Sequence, residues 1–383
     1  MPFCYSPWTN VDISAQGKIS PCCKFQHEHY KHQRHNIITS DIKDYANGDL
    51  LKEIKQDFLN NKWPVGCERC KIEEENNIES KRQLDYTRWK NAYDAYDIEQ
   101  GGYLTVSIAF GNTCNLKCIT CKPNQSSRWH NEYKLIYGPD IKPNYFYKKN
   151  FVEEIISECP NLVHVDIPGG EPMLSGVAEQ KELLNHYVVN GKAKNISLHY
   201  TTNNTIFPDE EWWELWKNFK EIDIQMSIDG IENRNEYIRF PSKWHENEQC
   251  IDNFIQKENE LHNLRLSVSH TVSAYSVLYL DEFFSWCHNK KLPKPWLGGV
   301  FKPYHMRYSV FPESIRKQIV QQLKKSIFPD ILVWAYSLEN SDDSEYFEMF
   351  LEKTQAHDDY RKNSFKEAFP ELAEMIANYQ NSV

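Results

Sequence analysis

The stretch whose reading decides the fold is Gly111-Asn-Thr-Cys114-Asn-Leu-Lys-Cys118-Ile-Thr-Cys121, where three cysteines stand at spacings of four and three. Three thiolates this close can converge on one metal centre and still leave it one ligand short. Four would close a zinc or iron-sulfur site, so the missing ligand is the informative part. An iron with an open position implies chemistry at that iron. From the triplet alone a structural zinc site or chance clustering stays open.

Outward from this stretch, the chain from Tyr103 alternates strand and helix. Strands are expected at Leu104 to Phe110, Leu162 to Ile167, Ile196 to Thr202, Ile222 to Ile228 and Leu264 to Val272, with a sixth within Leu297 to Tyr308. Helices are expected near 148 to 158, 177 to 190, 209 to 219, 245 to 261 and 277 to 288. Repeated strand-helix units give a parallel sheet with right-handed crossovers. Function then belongs at the carboxyl ends of the strands. The first strand runs straight into Cys114. The second ends in Pro168-Gly169-Gly170-Glu171-Pro172, where glycines let the backbone approach a ligand closely. The third ends in Tyr200-Thr-Thr202-Asn203-Asn204, and the fourth in Ser227-Ile-Asp229-Gly230, with Arg239 ten residues after Asp229.

These motifs resemble those of the radical SAM (S-adenosylmethionine) enzymes: the CxxxCxxC triplet, the GGEP turn, a TNG-like segment and an S-[IL]-D-G…R arrangement. The resemblance implies an α/β fold, a partial (β/α)6 TIM-type barrel. It implies a [4Fe-4S] cluster on Cys114, Cys118 and Cys121 whose fourth iron is chelated by S-adenosyl-L-methionine. One electron then releases a 5'-deoxyadenosyl radical that takes hydrogen from a substrate. By the same resemblance Gly169, Gly170 and Glu171 meet the SAM ammonium, Asn203 lines the site, and Ser227 and Arg239 hold the SAM carboxylate. Two positions depart from the pattern. Thr120 stands where an aromatic residue usually packs near the adenine, and Asn204 replaces a glycine, a change that a left-handed Asn tolerates.

Near the start, Cys4, Gly17 and Cys22 form C-x12-G-x4-C, followed by Cys67-Glu-Arg-Cys70. This resembles the twitch domain, the half-sized relative of SPASM that holds an auxiliary four-iron four-sulfur cluster, although there it follows the barrel. Cys23 competes with Cys22 for the ligand role, and a four-cysteine zinc knuckle is the other reading of the module. Trp8 to Ser14 and Lys18 to Ser20 read as hairpin strands around Gly17. Ser40 or Asp41 caps a helix carrying Ile42, Tyr45, Leu50, Leu51, Ile54 and Phe58. His27, His29, His32 and His35 could bind a metal, but their interleaved charges read as a solvated loop. The organisation expected is a twitch-like iron-sulfur module at 1–75, a linker helix at 76–102, the barrel at 103–310 and a helical C-terminal extension at 311–383.

Composition narrows the class. The chain has 383 residues and 40% hydrophobic content, enough to bury a core. A formal charge of -10 opposes non-specific nucleic-acid binding. With neither a secretory start nor a long apolar run, the expected setting is the cytoplasm, without membrane partners. Eleven cysteines there point to metal binding, with Cys23, Cys159, Cys250 and Cys287 left over and read as small buried hydrophobes.

The function expected is a radical SAM enzyme acting on a small polar metabolite or a peptide, its auxiliary cluster relaying an electron in a net oxidation or coupling. The resemblance implies a flavodoxin or ferredoxin as reductant. Peptide (RiPP) maturases of this kind often begin with a leader-binding module, whereas this chain begins with the cysteine module, which favours a small molecule. His270, Tyr304, His305, Arg307 and Tyr308 are the candidates for substrate contact. A non-catalytic metal-bound interaction protein is the alternative class, opposed by the open triplet.

Overall fold

Short runs in which every second residue is apolar make the strands of this chain, and Gly, Pro and Asn punctuate them. In the computed structural model the described residues are 2–30, 35–75, 79–98, 101–138, 148 and 150–382. Among the described residues there are eight strands: β1 (Asn10–Ile13), β2 (Ile19–Ser20), β3 (Thr105–Ile108), β4 (His164–Ile167), β5 (Ser197–Thr202), β6 (Glu221–Ser227), β7 (Leu264–Val272) and β8 (Trp296–Gly299). They form one sheet in the order β2-β1-β3-β4-β5-β6-β7-β8. The pairs β1/β3, β3/β4, β4/β5 and β7/β8 are parallel, and only β1/β2 is antiparallel among the pairs whose register is described. From β3 onward, sheet order follows chain order with helices between, as a singly wound (β/α)6 arrangement requires.

The chain forms two compact units. The first comprises 1–113, 143–200 and 208–223. Here Val11 and Ile13 alternate with Asn10 and Asp12, so β1 has one apolar face and joins β3 edge to edge. The expected strand from Trp8 starts later than the alternation suggests. Pro7 opens a helical turn, Ser6–Thr9, because its fixed φ suits a first turn. The single helix expected after Asp41 is two, Ile42–Ala46 and Asp49–Leu59. They break at Gly48, where a Cβ would lie 2.6 Å from His35 Nε2. Lys81–Asp94 is the helix expected in the linker. Val177–Val189 and Glu210–Trp216 lie between strands, and the latter buries Trp212, Trp213 and Trp216, the last donating to Tyr200 Oη at 3.3 Å.

The second unit comprises 114–142, 201–207 and 224–383. Its cysteine loop is stitched to the segment before the Phe240–Pro241 bond: Lys117 N–H donates to Phe240 O and Ile119 N–H to Ile238 O, each at 2.8 Å. Below it lies the helix His130–Tyr137, which is not among the helices expected from the sequence. Its Glu132 is fully buried yet charged. Lys117 Nζ is 2.7 Å away, Arg361 Nε 2.6 Å and His357 Nδ1 3.0 Å. His357 and Arg361 come from the tail helix Phe347–Arg361, and Arg361 also donates to Lys117 O at 2.7 Å. Tyr275, Phe350, Phe365 and Phe369 pack around one another and bring in the short tail helices Phe365–Ala368 and Pro370–Gln380.

Burial works against the Glu132 charge, but His357, Arg361 and Lys117 outweigh it and hold the carboxyl at about 2. A carboxyl depressed in the folded state contributes stability above its unfolded value near 4.5, and that stability drains away as pH falls toward 2. Glu132→Gln leaves three basic groups facing a neutral amide, so we expect a loss of about 3 to 5 kcal/mol in urea melts at pH 7. The difference from wild type should shrink steadily between pH 4.5 and 2. A constant difference across that range would show that the charge is not what holds these elements together.

Candidate functional site

In the second unit the three cysteines of the loop are electrostatically coupled. Burial pushes the Cys118 thiol up to about 12, with the Arg239 guanidinium opposing and Cys114 adding. Cys121 is raised first by burial and then by Cys118 and Cys114. The backbone N–H of Leu116 points to Cys114 Sγ at 3.4 Å and the Asn203 amide at 3.6 Å. Trp129 Nε1 donates to Cys118 O at 3.0 Å, fixing the loop's far side. Arg239 is charged, 10% exposed at its side chain and 3.0 Å from Asp229, whose Oδ1 accepts from Thr271 N–H at 2.8 Å. Arg239 Nε is buried and has no hydrogen-bond partner. A cation close to the thiols with a spare donor suits an anionic ligand group beside them.

The other strand-end residues of this unit behave as a brace. Asn203 bonds Asn115 Oδ1 at 2.9 Å, tying β5 to the cysteine loop. Asn204 takes φ 60°, the left-handed conformation expected of it, and its amide donates to Ser227 O at 3.1 Å. Ser227 Oγ lies 3.5 Å from Ser269 Oγ.

The GGEP turn belongs to the first unit. Gly169 and Gly170 have φ of 84° and 57°, and a Cβ on Gly170 would sit 2.5 Å from Thr113 O. Side chains are therefore excluded on both geometric and steric grounds. Glu171 is fully buried, its N–H donating to Thr113 O at 2.8 Å, and it accepts from Met173 N–H at 3.2 Å.

Also in the first unit, Cys4, Cys22 and Cys67 of the N-terminal segment are each raised by burial and by neighbouring thiols. Cys22 is raised by burial, then by Cys23, Cys67 and Cys4. Cys67 is raised by burial, then by Cys4 and Cys70. Cys4 is pushed up to about 11 by burial against hydrogen bonds from Ser6, with Cys70 adding. Cys23 instead lines a polar cavity with Lys81 and Asp12. Among the described residues no three His, Cys, Asp or Glu side chains close on a single ion. An all-thiol set fits an iron-sulfur cluster, in which each thiolate has its own iron. Thiols raised this way stay protonated at neutral pH, and a metal that binds them displaces those protons. Of the histidine run, His27 is buried against Ser20 Oγ at 2.7 Å and His35 packs on Tyr45, so both serve the fold. His32 lies outside the described residues.

The substrate candidates divide. A cavity of about 480 Å³ in the second unit is lined by Cys121, Lys122, Tyr133, Tyr137, Tyr304 and His305, among others. Burial holds the His305 imidazole at about 4, helped by Lys353 and His357. Arg307 is instead taken up by Asp343 at 2.9 Å and Phe301 O at 3.0 Å, and Tyr308 by Ser337 at 2.6 Å. His270 is in the core, its Nδ1 3.0 Å from Ile228 O and its ring against Phe283. These three do not line the cavity. Tyr133 and Tyr137 were missed, although their spacing of four marks one face of a helix.

Residues 4–71 match the family model of SPASM, described as an iron-sulfur cluster-binding domain. No curated protein matches the chain. Among solved structures it is similar to native anSMEcpe with bound AdoMet, at 16% identity over 58% of this chain and 58% of that one, TM-score 0.42. It is similar too to SuiB of Streptococcus suis bound to S-adenosylmethionine, at 14% identity over 71% and 59%, TM-score 0.36. A third is TYW1 with a lysine-pyruvate adduct bound, at 15% identity over 68% and 89%, TM-score 0.35. The chain spans 58% of the length of the first of these. The match over 4–71 spans Cys4, Cys22, Cys67 and Cys70, so this segment is similar to an iron-sulfur cluster-binding domain.

Proposed function

We propose that the chain is a radical SAM enzyme that takes a hydrogen atom from a small polar molecule or a peptide side chain. What supports this most is the open triplet of coupled thiols with the buried Arg239 guanidinium acting on two of them. Cys114, Cys118 and Cys121 would hold a [4Fe-4S] cluster, and Cys4, Cys22, Cys67 and Cys70 an auxiliary one. The first cluster, when bound, supplies the electron that cleaves S-adenosylmethionine to a 5'-deoxyadenosyl radical.

The protein's part is binding and orientation. Arg239, fixed by Asp229, would offer its spare donor to the SAM carboxylate beside Ser227, and Gly169, Gly170 and Glu171 carry the motif that would meet its amine. Asn203 keeps the loop's Asn115 in place. Tyr304 and His305 line the space next to Cys121. In domain terms, 1–75 is the auxiliary module, 76–102 a linker, 103–310 the catalytic barrel and 311–383 the segment that closes on the cysteine loop. Eleven free cysteines suit a reducing compartment such as the cytoplasm, and a flavodoxin or ferredoxin is the reductant that fits. No helix among the described residues is long and apolar enough to cross a membrane.

Anaerobic reconstitution with iron and sulfide, followed by SAM and dithionite, should yield 5'-deoxyadenosine detectable by mass spectrometry. Cys118→Ala should abolish it and lower bound iron by roughly half. Normal cluster assembly without any 5'-deoxyadenosine would leave a metal-bound interaction protein as the better reading.

Arg239→Lys should raise the KM for SAM about tenfold or more while preserving bound iron, because a point charge cannot replace the forked guanidinium. An unchanged KM would remove Arg239 from the SAM site. Replacing Cys67 and Cys70 by Ala should leave cleavage of SAM intact but stop product turnover. Full product formation by that variant would rule out an electron relay.

A further inference from the structure

The strand register of the first unit places eight polar residues on a single face. Asn10, Thr105, His164 and Ser197 form one row across β1, β3, β4 and β5, and Asp12, Ser107, Asp166 and His199 the next. Residues two apart on a strand share a face, so both rows look the same way. The opposite face holds Val11, Ile13, Val106, Ile108, Val165, Ile167, Leu198 and Tyr200, none more than 1% exposed. Parallel sheets are ordinarily apolar on both faces, so a wholly polar face is a departure that needs an occupant.

That face borders a cavity of about 160 Å³, closed on the helical side by Lys81, Asp85 and Trp89. Most of its polar groups are already spoken for. Asp166 binds His199 Nδ1 at 2.8 Å and Ser107 Oγ at 2.9 Å, Lys81 pairs with Asp85 at 2.8 Å, and Asn10 takes the Thr105 hydroxyl at 2.7 Å. The Asp12 carboxylate has only the Ser107 hydrogen bond, feels the Lys81 charge and has no ion pair within 4 Å among the described residues; the Arg88 guanidinium also lines the cavity. His164 is 8% exposed and its Nδ1 is buried without a partner.

Building on the reading above, we propose that this cavity is the substrate pocket and that it takes a small polar group bearing a primary ammonium, held between Asp12 and His164. An ammonium offers three donors, enough for a carboxylate that has only the Ser107 hydroxyl and for an imidazole nitrogen that has no partner. Burial, with Asp166 adding, pushes the Asp12 carboxyl up to about 7 against the Ser107 hydrogen bond, and burial keeps His164 neutral at about 3. A bound cation relieves the first and needs the second uncharged. The room equals about five waters at roughly 30 Å³ each, enough for one small ring or one side chain. The upper row's Asp12, Ser107 and Asp166 lie one residue before the carboxyl ends of β1, β3 and β4, where chemistry in such folds is placed.

The ammonium can belong to a free metabolite or to a lysine side chain, and calorimetry on the full, anaerobically reconstituted chain separates them. The probes are glucosamine against glucose, and N-acetyl-lysine methylamide against its norleucine counterpart. One amine should bind at least tenfold tighter than its neutral partner. Preference in the sugar pair identifies a metabolite pocket, and in the lysine pair a peptide pocket. Asp12→Asn should erase the preference while iron content and circular dichroism stay at wild-type values. No preference in either pair, or one that survives Asp12→Asn, overturns the proposal. Amine preference without 5'-deoxyadenosine formation would sink the enzymatic reading and spare the pocket; the converse result would sink the pocket alone.

Discussion

A single buried carboxylate organises the ground on which the cysteine loop stands. Glu132 gathers Lys117, His357 and Arg361, and through them it joins the loop, the helix beneath it and the tail helix Phe347–Arg361. Stripping a carboxylate of water costs several kcal/mol, which only dense pairing offsets. Three basic partners supply that density, and Arg361 adds stacking on Trp129 and Phe240, each with the guanidinium 5.1 Å from the ring centroid. The tail is therefore part of the loop's foundation.

Rigidity of this kind suits the ligand role proposed for these thiols, because preset sulfurs would meet a cluster without reorganising. The loop is held by backbone pairing to Ile238 and Phe240, by the Trp129 indole and by the Asn203 amide. Arg239 lies between the two backbone partners, so the element that steadies the loop also carries the cation that acts on its sulfurs. Fold and chemistry share one segment.

Much of this was legible in advance because it rests on local rules. Alternating apolar residues marked β3 to β7 within one or two residues, and Gly169 and Gly170 take the left-handed conformations for which glycine is selected. The cysteine spacings were readable since neighbours in sequence are neighbours in space. Contacts between distant residues were not. Nothing near Glu132 announces partners more than two hundred positions away, and Arg307 and Tyr308 look like site residues until Asp343 and Ser337 are seen to engage them. The break at Gly48 was hidden because helical spacing of apolar residues continues across it. The polar face of the sheet is hidden for a related reason. Each strand shows only ordinary alternation, and register across four strands is needed before the rows line up.

The parallel pairing of β1 with β3 reaches beyond topology. It makes the leading segment a structural flank of the sheet, which cannot be exchanged as an independent cassette. Deleting it would bare a row of β3 amides and carbonyls, and an uncovered strand edge recruits other chains. Evolutionary transplantation of this cluster-binding segment to another scaffold would therefore require the recipient to offer a matching sheet border.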